Sequence, residues 1–98
     1  MCGLFAAIGH DLSGPRLEDV FQVLDHRGPD GRRVFVYTPA LVTIAHTRLA
    51  GIDLETGAQP LESDDGNIVL AANGDIYDFE RLRGSLHAKC CHFRTGSD

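Results

Sequence analysis

The second residue of the chain is a cysteine, followed at once by glycine in the opening stretch MCGLF. Removal of Met1 would make Cys2 the N-terminal residue, so that one residue carries both a thiol and a free α-amine. A thiol becomes a good nucleophile when a neighbouring group takes its proton, and an α-amine titrating near ~8 is a suitable acceptor at neutral pH. Cys2 could thus supply nucleophile and base together; taken alone, it reads equally as a small buried hydrophobe. The other two cysteines, Cys90 and Cys91, sit side by side before His92. Adjacent cysteines rarely pair, and three is an odd number, so a disulfide framework is not expected. Zinc sites separate paired ligands by two or more residues, so Cys90-Cys91-His92 has the wrong spacing and no metal site is expected.

The elements that must carry Cys2 follow from periodicity. Cys2 to Gly9 alternates small and apolar residues and is expected to form a strand buried on both faces. Ser13 and Pro15 mark a helix start, Leu17, Val20, Phe21 and Leu24 recur at the one-face helical interval, and HRGPDG stops the helix at Gly28 and Pro29. Arg33–Tyr37 and Leu41–Arg48 are strand-like runs joined by a turn at Thr38-Pro39-Ala40. In the second run Val42, Ile44, His46 and Arg48 share one face. An arginine therefore ends a strand that otherwise looks buried. SDDGN (63–67) is a turn signal, and Ile68–Ala72 is a further apolar run that stops at Asn73-Gly74-Asp75. Asp78 is placed to cap a short helix that carries Phe79, Leu82 and Leu86 inward.

About four strands and two helices in this order predict an α+β fold with a mainly antiparallel sheet. The chain has 98 residues, enough for one modest core, with 43% hydrophobic and 23% charged residues. A net charge of -5 with scattered Lys and Arg argues against nucleic acid as a partner. No run approaches the roughly 18 apolar residues of a membrane span, and the apolar start lacks a basic flank, so a cytoplasmic location is expected. The last residues, Thr95-Gly96-Ser97-Asp98, form a helix-start signal with no helix after it, which predicts truncation within a domain.

Several motifs in this order and at these separations, MCGLFAAIG, HRGPDG, AHTRLAGIDLETGAQPL, AANGDIYDF and FRTGSD, resemble the N-terminal glutaminase domain of the asparagine synthetase family. That domain is a class II glutamine amidotransferase. The resemblance runs from Met1 to Asp98, and GAQPL with TGSD is similar to the asparagine synthetases rather than to other branches of the class. It implies the N-terminal nucleophile hydrolase fold, two antiparallel sheets between helices in a four-layer αββα sandwich, of which residues 1–98 would be about the first half.

The resemblance also implies roles. Cys2 matches the nucleophile that attacks the glutamine side-chain amide and releases ammonia through a thioester. Arg48 matches the arginine that grips the substrate α-carboxylate, as a planar guanidinium does with two parallel hydrogen bonds; from charge alone it reads as a surface ion pair. Asn73 and Gly74 match an oxyanion hole built from a side-chain amide and a backbone N–H, although the dipeptide by itself reads as a hairpin turn. Asp98 matches the acid that receives the substrate α-amine, and otherwise reads as a helix N-cap. Leu49 and Gly51 fall where the family places backbone contacts to substrate. Asp75 stands where the family usually has glutamate, a carboxylate on a shorter arm. Asp78 replaces the usual asparagine after the tyrosine. His46 is read as structural, because the terminal amine takes the base role.

The function so implied is hydrolysis of glutamine to supply ammonia for asparagine or a related amide. The expected partners are glutamine, the synthetase domain of a parent protein and, for the full-length protein, an optional second copy of itself. No cofactor is expected within 1–98, and ATP and Mg²⁺ belong to the synthetase domain. The alternative is a truncated, non-catalytic module with an interaction or regulatory role. A β-lactam-forming relative is set aside because Cys2 is intact.

Overall fold

In a computed structural model of the chain, the structure describes residues 1–51 and 56–97. The elements are β1 (Gly3–Ile8), α1 (Pro15–Leu24), β2 (Gly31–Tyr37), β3 (Val42–Arg48), β4 (Leu61–Glu62), β5 (Val69–Leu70) and α2 (Phe79–His87). The architecture is α+β with two antiparallel sheets, one ordered β1-β3-β2 and the other β4-β5. Among the described residues, no helix is long and apolar enough to cross a membrane.

Strand β3 is central in the first sheet and alternates small residues with larger ones. Thr43, Ala45 and Thr47 are buried, and α1 packs over β3 and β1. Their small size lets the helix come close: the Thr47 hydroxyl donates to the Leu24 carbonyl at 3.1 Å, and a Cβ on Gly3 would stand 2.4 Å from that same hydroxyl. The helix contributes buried Phe21, with Leu17, Val20 and Leu24 half-buried beside it. Arg32 of β2 ties the layers, bonding Glu18 and Asp25 while its guanidinium lies 5.2 Å from the Phe21 ring centre. This contact holds the Asp25 carboxyl below the usual carboxylate range.

Several expectations are corrected. β1 is an edge strand covered on one face only: Gly3 is buried and Phe5 half-buried, whereas Leu4 and Ile8 are 41% and 74% exposed. One helix can cover only one side of a sheet. The helix α1 is capped by Gly14, at φ 63°, with Pro15 at the first helical position; the Ser13 N–H is instead taken by Asp11 in a local turn. The run Ile68–Ala72 pairs only at Val69 and Leu70, because its partner is bounded by Pro60, which has no N–H, and by the turn at Ser63. Asp78 occupies the N-cap position of α2 in a left-handed conformation (φ 59°), which does not aim its carboxylate at the first helical N–H groups; the carboxylate pairs with Arg81 instead. Of the expected inward side chains of α2, Phe79 and Leu86 are half-buried and Leu82 is 46% exposed.

Candidate active site

Cys2 immediately precedes β1, and the pairing of Gly3 with Thr47 sets it beside the end of β3. Its sulfur accepts the Leu49 N–H at 3.4 Å, and the Arg27 side chain donates to its carbonyl at 3.2 Å. Both ends of the residue are therefore anchored.

Arg48 is held from behind by the HRGPDG segment. A Cβ on Gly28 would come within 2.4 to 2.5 Å of Thr47 and Arg48 backbone atoms, so the segment lies directly on the strand. The Asp30 N–H donates to the Arg48 carbonyl at 2.8 Å, and its carboxylate accepts the Ala50 N–H at 2.9 Å. The motif thus does more than end a helix: it fixes the backbone from Arg48 to Ala50. Its exact spelling was the signal for this role, since Gly is needed for close approach and Asp for an N–H left over at a strand end.

Asn73 and Gly74 follow β5 in the connection to α2. Gly74 is not among the glycines of positive φ, and the pair joins a strand to a helix, so the hairpin-turn reading fails. Among the described residues other than its chain neighbours, no atom lies within 4 Å of where a Gly74 Cβ would stand, which leaves room for a ligand beside its backbone. The Gln59 side chain accepts the Ala72 N–H at 2.6 Å and so fixes the residue before Asn73. Gln59 belongs to the GAQPL motif, and its role in the site was not anticipated.

These pieces meet at one cavity of about 290 Å³. Cys2, Arg48 and Leu49 line it at the end of the first sheet, with Gly51 of the loop beyond and Asn73, Gly74 and Asp75 after β5. Met1, Gly57, Gln59, Ala72 and Ser97 complete the lining. Asp98 lies outside the described residues, although its neighbour Ser97 is in the wall. The residues that line this one space therefore carry a thiol, a guanidinium, a side-chain amide and a carboxylate.

His46 does not line this cavity. It is 1% exposed, its Nε2 has no hydrogen-bond partner among the described residues, and it lines a smaller space of about 150 Å³ with Arg48 and Gln59. Burial pushes its pKa down; the Ala72 backbone opposes this in part, and the Arg48 charge adds to it. The ring is therefore biased toward the neutral form.

The chain belongs to the glutamine amidotransferase domain family, whose family model matches residues 1–98. It is 39% identical over 103 residues to a probable glutamine-hydrolysing asparagine synthetase of Dictyostelium discoideum, and 41% identical over 102 residues to an asparagine synthetase of Brassica oleracea. It is 42% identical over 102 residues to asparagine synthetase 1 of Arabidopsis thaliana. All three alignments cover the whole chain, which spans 17% to 18% of the length of these relatives. No solved structure matches it.

Proposed function

We propose that residues 1–98 form part of a type 2 glutamine amidotransferase domain that hydrolyses the side-chain amide of glutamine and supplies ammonia for asparagine synthesis. The observation that supports this reading is that Cys2, Arg48, Asn73 and Gly74 line one cavity. Met1 is in the same wall, so its removal both frees the Cys2 amine and widens the space at the sulfur.

In this reading glutamine enters with its α-carboxylate on Arg48, backbone groups of Leu49 and Gly51 beside it, and its α-amine toward Asp75 and Asp98. The freed α-amine of Cys2 takes the thiol proton, and the sulfur adds to the amide carbon. The Asn73 amide and the Gly74 N–H stabilise the oxyanion, a contact that matters because it strengthens only as charge develops. The α-amine returns the proton to the leaving nitrogen, ammonia departs, and a γ-glutamyl thioester remains on Cys2. Water then hydrolyses the thioester, giving glutamate and restoring the thiol.

The complete fold in this reading is the four-layer sandwich of N-terminal nucleophile hydrolases. The exposed Leu4 and Ile8 face of β1 supports it, since a second layer would cover that face. The ammonia serves a synthetase domain of the parent protein, in the cytoplasm, where ATP and Mg²⁺ activate the acceptor; no residue of 1–98 is assigned to either. The test is Cys2→Ala in the full-length protein. Glutamine-dependent synthesis should vanish while synthesis from free ammonia persists, and retention of the glutamine-dependent reaction would overturn the reading.

A further inference from the structure

The segment 93–97, whose Ser97 lines the cavity, forms no helix or strand of its own. Two arginines tie it to its surroundings: Arg94, within the segment, donates to the Glu62 carbonyl, and Arg83 grips its end. Arg83, on α2, donates through one terminal guanidinium nitrogen to the Thr95 carbonyl and through the other to the Ser97 carbonyl, both at 2.7 Å. Its guanidinium lies 5.8 Å from the ring centre of Phe79 and 5.0 Å from that of Phe93. The half-buried cation thus reaches two carbonyls two residues apart through its planar fork and lies against two aromatic rings. Those carbonyls flank the stretch that puts Ser97 into the wall of the Cys2 cavity.

We infer that Arg83 is a positioning residue that sets the site's grip on the α-amine end of glutamine by fixing residues 95–97 against the cavity. The inference rests on the proposed glutamine reading, in which Asp98, the next residue in the sequence, receives the amine. Arg83 does not line the Cys2 cavity, so its loss should weaken binding while leaving the chemistry at the sulfur intact. Lysine has the charge but one nitrogen, and cannot span both carbonyls.

The test uses the full-length protein with Arg83→Lys and Arg83→Gln. Steady-state glutaminase kinetics should show KM for glutamine raised on the order of tenfold, with kcat changed by less than about twofold. A second measurement is alkylation of Cys2 by iodoacetamide. Its rate without ligand should match wild type, showing an intact site, while the glutamine concentration that protects should rise in step with KM. Protection by glutaramate, which is glutamine without its α-amine, should be unchanged. Unaltered glutamine protection in both variants, or an equal loss for glutaramate, would overturn the role of Arg83 while leaving the glutaminase reading standing. Absence of glutaminase activity and of glutamine protection in the wild type would remove both.

Discussion

The sulfur of Cys2 lies 3.4 Å from the backbone nitrogen of Leu49, the residue directly after Arg48. The proposed nucleophile and the proposed carboxylate grip are therefore spaced by a strand end rather than by a flexible loop. Nucleophilic displacement needs its reacting atoms held to a fraction of an ångström, and a strand end provides that.

The two sides of the cavity should separate in kinetics. Arg48→Lys, which keeps the charge but loses the planar fork, should raise KM for glutamine on the order of ten- to hundredfold with a smaller effect on kcat. Asn73→Ala should do the opposite, lowering kcat on the order of 10²-fold with little change in KM. The same initial-rate series on both variants checks the pair of outcomes.

Gly28→Ala should be destabilising by at least ~2 kcal/mol, because the added methyl would meet the backbone of Thr47 and Arg48, which cannot rotate away. Since that backbone also carries the guanidinium, glutamine binding should weaken alongside. Urea unfolding monitored by circular dichroism reads the first effect, and glutamine protection of Cys2 reads the second.

The course of the chain was largely legible in the sequence, and the course of the site only in part. The alternation of β3 and the spacing of Leu17, Val20, Phe21 and Leu24 are local patterns, and they placed strand and helix correctly. What β1 would bury was misjudged, because covering a face depends on which layers exist, not on alternation within the strand. Asp78 was misjudged for a related reason: its residue type favours a cap, but its left-handed backbone sends the carboxylate to Arg81. Cys2 declared itself by position. Arg27, Asp30, Gln59 and Arg83 did not, because each acts by bonding a backbone group 12 to 25 residues away. Such contacts leave no periodic trace.

His46 makes stability depend on pH. Its pKa in the folded state is lowered from 6.5, chiefly by burial, so the unfolded chain takes up a proton that the folded chain resists. The stability tied to the neutral ring is fully present above the unfolded value and is lost as pH falls through the lowered folded value. Arg48, on its own strand, adds to the cost of a positive ring. The melting temperature should therefore fall as pH drops below about 6.5, and it should fall less steeply in His46→Gln. Equal slopes in the two proteins would argue against a buried neutral histidine.

The most direct test of the account is to trap the acyl enzyme. Full-length protein mixed with glutamine, quenched in acid within the first turnover and digested should yield an N-terminal peptide that lacks Met1 and carries a γ-glutamyl group on Cys2. The adduct should be absent from the Cys2→Ser control quenched in parallel. Ammonia release from glutamine with Met1 still in place and Cys2 unmodified would contradict the account.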